Sequence, residues 1–79
     1  MANSNRSLHV IAREIRSDWT KVNFGAEPYL EAMDCLDSID DMYYMDSAKS
    51  IVRYFLSNAN TWRGEVAKRV KLELKAMVK

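Results

Sequence analysis

The chain has little that interrupts regular structure. It holds only two glycines, Gly25 and Gly64, and one proline, Pro28, which disfavours a turn-rich β sandwich and favours long regular elements. A single cysteine, Cys35, excludes an internal disulfide and a cysteine zinc site, and points to a reducing cytosol. No apolar run approaches the roughly 18 residues that a membrane-spanning helix needs. The stretch Met1 to Ser7 is polar rather than signal-like. Net charge is only +1, which by itself gives no case for a protein that coats nucleic acid. What remains is ordinary globular composition: 79 residues, 48% hydrophobic and 29% charged, predicting one domain over residues 1–79 around one small core.

The near-neutral total conceals blocks. Residues 1–26 carry Arg6, Arg13, Arg16 and Lys21 against Glu14 and Asp18. Residues 27–46 carry Glu27, Glu31, Asp34, Asp37, Asp40, Asp41 and Asp46 with no basic residue. Residues 47–79 carry eight basic residues against Glu65 and Glu73. Local potential steers a charged partner more than net charge does. The acidic and basic blocks either serve partners or neutralise each other within the fold.

Hydrophobic spacing predicts an all-α fold, a compact bundle of about four short helices. Leu8, Ile11, Ala12, Ile15 and Trp19 form one helical stripe, with Asn5 or Ser7 as the cap and Arg6, Arg13 and Arg16 turned to water. From Thr20 to Gly25 the pattern breaks into a connection whose Val22 or Phe24 plugs the core. A second helix is expected over 27–38, with Ala26, Tyr29, Leu30, Met33 and Leu36 inward. Its acidic last turn opposes the helix dipole, so fraying into a loop over 38–45 follows. Asp46 is the expected cap of a third helix over 47–57, whose inner face is Ala48, Ile51, Val52, Phe55 and Ala59. Asn60 or Thr61 then caps a last helix over 62–77, with Trp62, Val66, Val70, Leu74 and Met77 inward. On that helix Glu65, Arg69 and Glu73 are spaced for ion pairs along the helix, and Lys68, Lys71, Lys75 and Lys79 form a basic stripe. Leu72 lies off the apolar side and marks either a second contact surface or a merely exposed side chain.

Most chemistry is missing. His9 and Cys35 with an aspartate nominally compose a nucleophile and its base, but no glycine-rich elbow or oxyanion motif accompanies them, and Cys35 reads more simply as a small buried or half-buried side chain. The aspartates at 34, 37, 40, 41 and 46 lack the alternate spacing, the glycine and the final glutamate of a calcium loop. Gly25 and Gly64 stand alone, so no phosphate-cradling loop exists. Neither catalysis, nor a metal, nor a cofactor is expected.

Two surfaces remain as candidates. The acidic ridge of Glu27, Glu31, Asp34, Asp37 and Asp41 runs into Tyr43 and Tyr44, where aromatic area beside phosphate-imitating carboxylates suits docking on a basic groove. The alternative is that the tyrosines and methionines of 42–45 fold back over the core. The second surface is Arg63, Lys68, Lys71 and Lys75, which could grip nucleic-acid phosphates, although the polar base-reading residues of a recognition helix are absent.

Four segments carry a resemblance: Ile11-Ala12-Arg13-Glu14-Ile15 with Asp18-Trp19, Pro28-Tyr29-Leu30-Glu31-Ala32-Met33, Tyr54-Phe55-Leu56-Ser57-Asn58-Ala59, and Thr61-Trp62-Arg63-Gly64. Over nearly the whole chain they resemble short, mostly uncharacterised proteins of bacteriophages, prophages and integrative elements. The resemblance carries no site residue. It implies a mobile-element protein of the bacterial cytoplasm, monomeric or homodimeric and not membrane-bound, that binds a host protein or ribonucleoprotein. CRISPR-type defence nucleases are among such partners, and a small DNA- or RNA-binding accessory protein is the alternative.

Overall fold

Residues 6–79 are described by a computed structural model. α1 (Leu8–Asp18) forms where the apolar stripe predicts it, and Leu8, Ile11, Ala12 and Ile15 are all buried. Of the two expected caps, Asn5 lies outside the described residues. Ser7 occupies the cap position, but its hydroxyl donates to Asp37 Oδ1 (2.6 Å) rather than serving α1. The free amides at the start of α1 are met by the loop after the second helix, Leu8 N–H donating to Asp37 O and His9 N–H to Leu36 O (2.9 and 3.0 Å). Val22 then packs on the core as a partly buried side chain, whereas Phe24 is 94% exposed and plugs nothing.

α2 (Glu27–Met33) opens on Pro28, placed where a missing amide hydrogen costs no bond. It ends five residues before the predicted limit. Two tight turns, Cys35 N–H to Ala32 O and Leu36 N–H to Met33 O, fold Leu36 inward and leave Cys35 exposed, contrary to the expected burial.

The molecule is mostly helical but not all-α. β1 (Met42–Tyr43) and β2 (Asp46–Ser47) form a small antiparallel hairpin in register Met42↔Ser47 and Tyr43↔Asp46. Strands of two residues are too short to show a period, and no glycine or asparagine marks the turn. α3 (Ala48–Ser57) follows directly, capped by Ser47 Oγ accepting from Ser50 N–H (3.2 Å), not by Asp46, which is held in β2.

α4 (Glu65–Met77) starts three residues later than expected, and neither Asn60 nor Thr61 caps it. Gly64 does, at φ 115° and ψ −177°, a conformation essentially reserved to glycine, which breaks the helix path after Trp62. That break lets Trp62 swing into the core, where it stacks on Trp19 (centroids 5.8 Å, interplanar 10°) with Phe55 edge-on to both. Trp62 Nε1 donates to Asp18 Oδ2 (2.8 Å), so this buried indole is satisfied at its polar end. The buried side of α4 is Ala67, Val70 and Leu74, with Val66 and Met77 only partly covered.

α1 packs on α2 and α4, α3 packs on the same two, and α2 and α4 stand across the diagonal. Arg6 and Arg69 close the seam between α1 and α4. Arg6 forks onto Glu73 (2.9 and 2.6 Å) and also reaches Glu14 (2.8 Å), while Arg69 bonds the other oxygen of Glu14. The arginines expected in water are thus engaged, since Arg13 and Arg16 also hold carboxylates of the α2 region.

Candidate docking surface

The acidic ridge is not clasped by α4. Its carboxylates form no ion pair with the basic residues of the last helix among the described residues, and α2 packs chiefly on α1 and α3. Neutralisation comes from α1 instead. Arg16 pairs with Glu27 (3.1 Å) and Arg13 with Asp34 (3.5 Å), both across solvent-accessible gaps where such pairs are weak. Asp37 accepts from Ser7, and Asp41 turns into its own loop, accepting from the amides of Asp37 and Ser38 (3.1 and 2.9 Å). Those two amides hold the Asp41 carboxyl below the usual aspartate range. Of the predicted ridge, Glu31 alone is exposed with no ion pair or hydrogen bond among the described residues.

Glu31 and the hairpin come together. Tyr43 is partly buried against the core, and its hydroxyl is pushed above the ordinary phenol value, first by desolvation and then by Tyr44, Cys35 and Glu31. Asp46 stands opposite Tyr43 across the hairpin, so both side chains leave the same face. Tyr44 packs edge-on against Tyr43 (4.8 Å) and is 86% exposed; Met45 beside it is 92% exposed. Met42, on the other face, is more than half exposed. The tip of the hairpin does not fold back over the core. The surface therefore consists of Glu31, Tyr43, Tyr44, Met45 and Asp46, with Asp40 nearby in sequence. Met45 and Asp46 are additions to the predicted set of contact residues. Their signal is the symmetric run Asp41-Met42-Tyr43-Tyr44-Met45-Asp46, apolar and aromatic residues bracketed by acids.

Of the basic candidates, Arg63, Lys68 and Lys75 are exposed. Lys71 is turned inward: its ammonium donates to Ala59 O and Trp62 O (both 2.7 Å) and lies over the Trp62 ring.

His9 Nδ1 is 3.4 Å from Leu36 O, and the Cys35 thiol acts on Tyr43; no hydrogen bond joins His9 to Cys35 among the described residues. Also among the described residues, no three His, Cys, Asp or Glu side chains converge to hold a metal ion. None of their helices is long and apolar enough to cross a membrane. No protein-family model matches this chain, and no significant match to it was found among curated proteins or solved structures.

Proposed function

We propose that the protein is a non-catalytic interaction module that seats its acidic and aromatic hairpin face in a basic groove of a protein or ribonucleoprotein. The observation that carries this reading is Tyr44. A bulky aromatic residue is held at φ 57°, in the left-handed region that disfavours side chains, while 86% of its surface stays in water. The positive φ closes the two-residue turn between Tyr43 and Asp46, and that turn carries the ring outward, away from the core, where a partner can cover it. Rigid aromatic area beside exposed methionines, which adapt their shape, suits a buried contact centre. Glu31 and Asp46 supply the charge that selects a groove built for phosphates. The resemblance to mobile-element proteins makes a host defence nuclease complex the leading class of partner.

The test is charge reversal where the carboxylates are open. Glu31→Lys with Asp46→Lys should abolish capture of a bacterial partner by the tagged protein, in nuclease-treated lysate, with helicity and melting unchanged. Unaltered capture by that variant would refute the reading. A captured partner should also lose affinity for its own nucleic acid when the wild-type protein is added.

A further inference from the structure

Among the described residues, six of the molecule's twelve cations hold a carboxylate or a carbonyl. Arg6, Arg13, Arg16 and Arg69 hold carboxylates, and Arg53 and Lys71 hold backbone carbonyls. The outer side of α4 differs. Lys68, Leu72, Lys75 and Lys79 recur at helical spacing and all four are exposed. From Lys68 to Lys75, at 1.5 Å per residue, the stripe runs roughly 10 Å along the helix, and Lys79 follows just past its end. None of these lysines holds an ion pair among the described residues. Arg63, exposed just before Gly64, extends the surface beyond the helix start. Crowding is real there: burial first, and then the like charges of Lys75 and Arg63, hold the Lys71 ammonium below the ordinary lysine range, and no carboxylate offsets them.

We infer that Arg63, Lys68, Lys75 and Lys79 form a binding face for the phosphate backbone of a nucleic-acid duplex, recognised without reading its sequence. Lysines act as point charges on phosphates, and each unpaired one that neutralises a phosphate displaces a cation condensed on the duplex, the release that drives such binding. A duplex fits better than a single strand, because single-strand grooves stack bases on aromatic rings. Trp62, the aromatic residue nearest α4 in sequence, is only 2% exposed, and the exposed aromatics Phe24, Tyr44 and Tyr54 all lie outside α4. Lys71, already committed to two carbonyls, is a support for the connection rather than a ligand. The acidic hairpin does not cancel this face. The molecule measures 31 × 27 × 19 Å, and charge is screened over about 8 Å at physiological salt. The inference is independent of the hairpin reading, since the two surfaces share no residue.

Fluorescence anisotropy of a short labelled duplex tests it. Four phosphate contacts predict a log–log salt slope of about −3 to −4, and so roughly a hundredfold loss of affinity between about 50 and 200 mM salt. Replacing Lys68, Lys75 and Lys79 together with Gln should cut affinity at low salt at least tenfold and bring the slope to about −1, with circular dichroism unchanged. Glu31→Lys with Asp46→Lys should leave duplex binding intact or tighter. No anisotropy change at low salt, a triple variant that binds like wild type, tighter binding of the single strand, or weaker duplex binding by the Glu31 and Asp46 variant would each overturn the inference.

Discussion

Tyr44 is the residue at which local preference and the observed backbone disagree. Left-handed backbone costs an L-residue with a full side chain about 1–2 kcal/mol relative to glycine, and Tyr44 recovers part of this through its edge contact with Tyr43. Tyr44→Gly should therefore be neutral or stabilising by up to about 1 kcal/mol in urea unfolding, while partner capture is lost. A stability gain with capture intact would show that the ring does nothing for docking. Trade-offs of this sign mark sites kept for function at the expense of folding. Tyr43, next to it, behaves differently, because it is packed against the core and its loss would be felt in stability as well.

Among elements, the connection between α3 and α4 depends most on one side chain. Ala59 is buried and Trp62 is anchored in the core, and the carbonyls of both accept from Lys71 one turn into α4. Lys71→Met keeps the aliphatic stem and removes the ammonium, which takes the donor from Trp62 O and leaves Ala59 O with the Trp62 amide alone. The expected cost is about 1–3 kcal/mol, seen as a lower urea midpoint with faster amide exchange at residues 59–65 and no change at the hairpin. Lys71 looked like a member of a solvent stripe because helical spacing gives angular position and cannot show where an adjoining loop will pass. The same limit explains the other differences. α1 and α3 were legible because each has an uninterrupted apolar stripe, and a stripe is what burial requires. The start of α4 was not, since Trp62 is apolar at the right spacing yet reaches the core from outside the helix, past Gly64. The hairpin was illegible for want of length. For the docking surface, the acidic block was plain in the sequence. Its division into carboxylates held by Arg13 and Arg16 and an open Glu31 depends on how α1 crosses α2, and no local pattern encodes that crossing.

At the scale of the whole molecule, the charge blocks do three different things. Glu31 and Asp46 face water beside the hairpin, the outer side of α4 faces water with its own lysines, and the arginines and glutamates between α1 and α4 close on each other. Glu14 is the hub of that seam, accepting from Arg69 on one oxygen and paired with Arg6 on the other. Arg69 first, and Arg6 after it, hold its carboxyl below the usual glutamate range against an opposing push from burial. A carboxyl lowered in the folded state favours folding only while ionised. Its contribution is fully present above a pH of about 4.5 and is lost as pH falls through the folded value. Asp41, lowered by two loop amides, adds in the same direction. Melting temperature should accordingly be level from neutral pH to about pH 5 and drop below it. Glu14→Gln should cost about 1–2 kcal/mol at neutral pH, because Arg69 loses its charged partner and Arg6 is left with Glu73 alone, while the amide oxygen keeps one hydrogen bond. As pH falls towards about 3 the variant and wild-type melting curves should converge, since the wild-type carboxyl is then losing the same charge. Melting curves that stay a constant distance apart from pH 7 to pH 3 would mean that Glu14 contributes shape alone, and that the seam between α1 and α4 is held by the packing of Ile11, Ile15, Val70 and Leu74 beneath it.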